Sequence, residues 1–173
     1  MLDEKRVTGE HLGPYLRNTD VQWESINVED PPEMDFEPSE HDRYSLREGD
    51  LLVCEGGEVG RSAIWQSGLQ FCFYQKALHR LRPHNQRSDD CRFQLYVMRM
   101  ACSMGVFEAS SGKATINHLP AESFRRYRFA YPPLDEQITI AEHLSQVCSQ
   151  MNELEAEAQS LVSTLQERRS ALI

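Results

Sequence analysis

The sequence predicts an α+β (mixed α/β) chain of two unequal parts: a small globule over residues 1–133 and one long helix over 134–173. Three observations carry this. Turn and strand signals alternate in "LREGDLLVCEGGEVGRSAIW", an amphipathic helical pattern follows in "DCRFQLYVMRMACSM", and no Pro or Gly occurs after Pro133. Strands, a helix and then an unbroken apolar period are the marks of a mixed domain with a helical extension.

The elements follow in order. "VEDPPEMDFEPSEHD" mixes acids with three prolines and predicts an extended, exposed loop. Gly49-Asp50 marks a turn, Leu51–Cys54 a short buried strand, Glu55–Gly60 a tight glycine turn and Ser62–Trp65 a second strand. "LQFCFYQKALHRLRP" continues as strand up to Pro83. Phe93, Val97, Met100 and Met104 recur at helical spacing and define the face of a helix that Gly105 stops. "FRRYRFAY" alternates Tyr127, Phe129 and Tyr131 against arginines, the pattern of a half-buried strand.

After Pro133 the period changes. Asp135 is placed to cap a helix, with Glu136 in its first turn. Apolar residues then recur at Ile140, Leu144, Val147, Met151, Leu154, Ala158, Leu161 and Leu165, and Leu172 rejoins the series beyond Arg168. Alternating steps of four and three make a heptad seam. A helix of this length, on the order of 55 Å, cannot bury a narrow stripe on its own small domain throughout. Leu144, Val147, Met151, Leu154, Leu161 and Leu165 are therefore expected to pair with a second long helix that this chain lacks.

Composition bounds the function. With 40% apolar and 26% charged residues the chain reads as globular. It has no membrane-length apolar run, and its first residues, "MLDEKRVTGEHL", are too polar for a signal peptide, so a cytoplasmic location is expected. Five cysteines without C-x-x-C spacing predict reduced thiols. The net charge of −9 is unevenly spread: residues 51–134 carry 11 basic and 6 acidic side chains, a basic island between acidic flanks. A local surface for a polyanion is compatible with that pattern.

Motifs of chemistry are weak. "CEGGEVGR" lacks the Lys-Ser/Thr of a nucleotide loop and the G-x-G-x-x-G spacing, so it reads as a turn that needs positive φ. Cys72, His79, His84 and Cys91 are spaced unlike a structural zinc site. No nucleophile elbow, H-E-x-x-H or paired-carboxylate signature occurs, so no enzyme and no cofactor is predicted. The basic island is more informative. Lys76, Arg80 and Arg82 fall along one strand, and "SSGKAT" offers Ser110, Ser111, Lys113 and Thr115 as small polar donors in a loop. Together with Arg61 these are candidate contacts to DNA phosphates and base edges. Arg125, Arg126 and Arg128, close to the start of the long helix, are alternatives that could pair with the acidic flank.

Several stretches together resemble one family: "GEHLGPYLRNTDVQWESINVED", "LREGDLLVCEGGEVGRSAIW", "INHLPAESFRRYRFAYPPLDEQITIAEHL" and "LQERRSALI". They look like the DNA-specificity (S) subunit of type I restriction–modification systems, over almost the whole chain. The most specific combination is Pro132-Pro133-Leu134, Glu136-Gln137 and Ile140-Ala141, followed by a long helix ending in Glu167-Arg168-Arg169. The resemblance implies a target recognition domain that reads one half of a split double-stranded DNA site, and a helix that pairs into an antiparallel coiled coil. It implies modification subunits, which methylate adenine N6 with S-adenosylmethionine, and restriction subunits as partners. The specificity subunit itself does no chemistry. This chain holds one recognition domain and one such helix, about half the usual content. A fragment, a truncated gene and a half-sized subunit all have this content; a half-sized subunit would restore the two-domain arrangement by pairing as a homodimer or with a second specificity half. The competing reading is a coiled-coil interaction or regulatory protein that acts on S-subunit assembly without touching DNA.

Overall fold

The structure is a computed structural model that describes residues 8–66, 69, 71–83, 88–107 and 118–171. Its centre is β5 (Leu51–Cys54), the middle strand of an antiparallel sheet with β6 (Ser62–Ile64) on one side and β8 (Leu78–Leu81) on the other. All four residues of β5 are fully buried. Leu51 and Val53 face one apolar cluster, with Phe93, Val97, Met98 and Ala101. Leu52 and Cys54 face another, with Leu16, Val21, Trp65 and Leu78. A strand covered on both faces needs an unbroken apolar run, which "LLVC" supplies. The turn to β6 relies on Gly57 and Gly60 at positive φ. At Gly60 a Cβ would also lie 2.4 Å from Cys102 Sγ, so only glycine fits there.

A second sheet sets β1 (Leu12–Leu16) between β4 (Glu33–Asp35), antiparallel, and β7 (Phe73–Tyr74), parallel. Between β1 and β4 lies a small hairpin of β2 (Val21–Gln22) and β3 (Ser25–Ile26). The acidic, proline-rich stretch is thus not the exposed loop that its composition predicts. After Pro31-Pro32 the chain forms the edge strand β4, a 3₁₀ turn over Pro38–Glu40 and the short helix α1 (His41–Tyr44). Met34 and Phe36 point inward at alternate positions, and Phe36 stacks on Phe73 with ring centroids 4.0 Å apart. Prolines are tolerated beside an edge strand, and two apolar residues with period two outweigh their charged neighbours.

Helix α2 (Cys91–Ser103) starts where Asp90 accepts the Arg92 and Phe93 amides, each at 2.9 Å, on one carboxylate oxygen. It ends at Gly105, whose φ is +66°, with Val106 N–H donating to the Ala101 carbonyl. The buried face differs from the expected one: Leu95, Met98 and Ala101 join Phe93 and Val97 inside, while Met100 and Met104 are exposed. Residues 93, 97 and 101 keep the core stripe of α2, and the four-residue spacing of Met100 and Met104 belongs to its outer side.

The strand expected in "FRRYRFAY" does not form. A short helix, α3 (Ala121–Phe124), is followed by irregular chain up to Pro133. Tyr127 and Phe129 pack on the first cluster as their alternation implies. The Arg128 guanidinium donates to the carbonyls of Arg125 and Tyr127, so it takes the place of a neighbouring strand. Alternation encodes half-burial; a ladder also requires a free edge.

Helix α4 (Leu134–Ala171) runs for 38 residues, about 57 Å. Its first bond goes from the Gln137 amide to the Pro133 carbonyl, so Asp135 lies inside the first turn and is not the cap. Gln137 and Ala141 are buried against the start of α2, and Ile140 packs on the same cluster. From Ser149 to Ala171 every residue is exposed.

Candidate nucleic-acid interface

Strand β8 and helix α1 border an open cleft of about 410 Å³. Arg43, Lys76, Arg80 and Arg125 bring four cations to it, and Glu55 is the one carboxylate among its lining residues. Tyr44, Tyr74, His79 and Phe124 supply aromatic walls. The cations come from three places in the chain: α1, the β7–β8 segment and the residue after α3.

Each side chain is held differently. Arg80 donates to the carbonyl of Ser45 at 2.6 Å and lies 5.5 Å from the centre of the Tyr74 ring, which braces it at the cleft wall. The Ser45 carbonyl, just past the last turn of α1, suits a cation because helix carbonyls end there unpaired. Tyr74 in turn donates to the Arg43 carbonyl at 3.0 Å, and burial raises its phenol above the ordinary value. His79 donates through Nε2 to the Leu119 carbonyl at 2.7 Å. Lys76 is exposed and makes no ion pair with a described residue.

The structure separates the other candidates. Arg82 is bound to Asp50 by two hydrogen bonds of 2.6 Å, and its charge is thereby used inside the fold. The bonds to Asp50 raise its pKa. Arg61 lies elsewhere, against the glycine turn, donating to the Asn18 carbonyl at 3.0 Å and facing Glu58 at 3.4 Å. Its side chain is only 15% exposed. Ser110, Ser111, Lys113 and Thr115 lie outside the described residues. His118, which follows that segment, pairs with Gly56 and contacts Glu55 at 3.0 Å, so the chain rejoins the fold at the rim of the cleft.

Two cleft residues escape sequence reasoning. Arg43 sits in the acidic flank and nothing near it in the sequence marks it. Arg125 is noticed only as a possible partner for acids, yet it makes no ion pair among the described residues. No three His, Cys, Asp or Glu side chains converge on a possible metal position among the described residues. All five cysteines are free thiols, and burial pushes Cys72 up to about 12 and Cys102 up to about 11.

On the rod, Leu144 and Val147 are half-buried near the globule. Met151, Leu154, Leu161 and Leu165 stand 63–65% exposed along one side of α4.

A mixed head with a cationic cleft, carried on one end of an uncovered helical rod, is the class of protein that fold and site define. The same fold occurs in a chain from a structure of the type I R-M system concerned with complex assembly and conformational transition. That chain is 23% identical with a TM-score of 0.64, and the match covers 90% of this chain and 35% of that one. The HsdS subunit from Thermoanaerobacter tengcongensis is similar at 21% identity and a TM-score of 0.61, over 87% of this chain and 33% of that one. No curated protein sequence matches the chain. The family model of the type I restriction modification DNA specificity domain matches residues 23–163, and the chain belongs to that family. It spans about a third of the length of the two solved chains.

Proposed function

We propose that this chain reads one half of a split double-stranded DNA site for a type I restriction–modification complex. The observation that carries the reading is the cleft. A chain of net charge −9 gathers Arg43, Lys76, Arg80 and Arg125 around one opening, beside the point where the 108–117 segment rejoins the fold. Cations concentrated against an overall negative charge suit a phosphate backbone better than a neutral ligand. Lys76, Arg43 and Arg125 supply phosphate contacts, Arg80 stiffens the wall, and Ser110, Ser111, Lys113 and Thr115 lie in the segment that adds base contacts. Arg82 supports the end of the main sheet through Asp50, and Arg61 supports the glycine turn away from the cleft.

The chain carries no reaction step of its own in this reading. Methyl transfer to adenine belongs to modification subunits, with restriction subunits as further partners, which places the assembly with the DNA in the cytoplasm. The exposed seam of α4 pairs with a second long helix, from another copy or another specificity half. Covering Met151, Leu154, Leu161 and Leu165 contributes on the order of 1.5–3 kcal/mol for each side chain fully buried. A two-fold pair would read a symmetric interrupted site.

The test is methylation mapping in cells that hold the modification subunits, with wild-type chain or with Arg43, Lys76 and Arg125 all changed to Glu. Loss of methylation with a folded, still-assembled variant supports the reading. Unchanged methylation means the cleft is not the reader and favours the competing role, a regulator of subunit assembly working through the exposed rod.

A further inference from the structure

The joint between head and rod is built from directional bonds. Gln137, in the first turn of α4, is 1% exposed. Its Oε1 accepts the Asp90 amide at 3.0 Å, and its Nε2 donates to the carbonyls of Ser88 at 3.0 Å and Pro132 at 2.8 Å. Both amide protons are therefore used, and all three partners are backbone. Asp90 is also the cap of α2, so one residue ties the starts of both helices to the same side chain. Around it, Ala141 and Ile140 pack on the apolar cluster under α2.

We propose that Gln137 is a positioning residue that fixes the bearing of the rod relative to the recognition cleft, and through it the number of base pairs between two half-sites. This rests on the function proposed above. Apolar packing is non-directional and lets a helix rock or roll at small cost, whereas three hydrogen bonds to fixed backbone atoms define an angle. The required stiffness follows from size. With a rod about 57 Å long, a change of bearing of about 3° swings the far end sideways by about 3 Å, comparable with the rise of about 3.4 Å per base pair. A reader that accepts a single spacing needs a joint stiffer than side-chain packing alone provides.

Two substitutions divide the joint. Gln137→Met keeps the length and removes all three bonds; Gln137→Glu keeps the acceptor for Asp90 and loses both donors. Methylation mapping with the modification subunits should show the half-site sequences unchanged in both variants. The spacer should broaden from one length to at least two neighbouring lengths in each variant. A single unchanged spacer in a folded Gln137→Met variant overturns the proposal.

A second measurement does not depend on DNA. Spin labels on Glu48→Cys and Gln159→Cys are placed in the full chain, with Cys91, Cys102 and Cys148 replaced by Ser and the labelled protein diluted in unlabelled chain. They should give a narrow distance distribution with Gln137 and one at least twice as broad in either variant. Equal widths overturn the clamp whatever the methylation result. Absence of any methylation with the wild-type chain, beside a broadened distribution in the variants, would instead sink the DNA reading and leave the clamp standing without its role in spacing.

Discussion

The guanidinium of Arg82 chelates the carboxylate of Asp50 through two bonds of 2.6 Å, in a place where Asp50 is 1% exposed. The Arg47 amide adds a third bond to the same carboxylate at 2.7 Å. Asp50 precedes the central strand and Arg82 follows β8, so this pair closes the end of the main sheet. Arg82→Ala leaves a buried carboxylate without its charge partner. Because Arg82 is itself a quarter exposed, the loss should be nearer about 2 kcal/mol than the 3–5 typical of wholly buried pairs. Urea denaturation should report it, and a midpoint within error of wild type would show that the pair is not structural.

Lys76→Ala should behave in the opposite way. The side chain is exposed and makes no ion pair among the described residues, so stability should stay within about 0.5 kcal/mol of wild type. DNA binding of the assembled complex should weaken, with the slope of log K against log salt reduced by about 0.9 for the one phosphate that is no longer neutralised. An unchanged slope in a titration over several salt concentrations would remove Lys76 from the interface. Arg43→Ala should give the same result independently, since it approaches the cleft from a different element.

Acid should loosen the amino-terminal strand at a defined point. The Asp35 carboxylate accepts the amides of Gly9 and His11 at 3.0 and 2.8 Å and also bonds to Thr8. These bonds hold its pKa down at about 2, against 3.8 ordinarily. The ionised form is favoured in the fold, so its contribution is present above about pH 4 and is lost as pH falls towards 2. Asp35→Asn removes that dependence. Melting curves of wild type should decline over this window, with a flatter decline in the variant; parallel declines would show that Asp35 is not the group responsible.

The rod should be separable from the head. Leu154→Glu with Leu161→Glu changes two residues of the rod that are each 65% exposed. Thermal unfolding of the head should be unaffected, while concentration-dependent association in sedimentation velocity should disappear. A wild-type chain that remains monomeric at high concentration would assign the seam to a different partner helix.

The local pattern of the sequence determined much of this molecule. "LLVC", bounded by turn signals, reads as a short buried strand because no polar residue interrupts it, and the stop-free segment after Pro133 reads as a long helix with one apolar side because its spacing is heptad. The family was legible for the same reason: Pro132-Pro133-Leu134 and Glu136-Gln137 are contiguous.

What the sequence could not determine depends on residues far apart in the chain. Phe36 is in the core because Phe73 is there to stack on, Tyr127 and Phe129 pack on the first cluster from irregular chain whose carbonyls Arg128 takes up, and Asp50 withdraws Arg82 from the basic island across 32 residues. Charge counted along the chain says how many cations exist. Only the fold decides which are neutralised by a buried partner and which, like Arg43 and Arg125, meet at one surface, because Coulomb and hydrogen-bond energies depend on distance in space and not on distance in sequence.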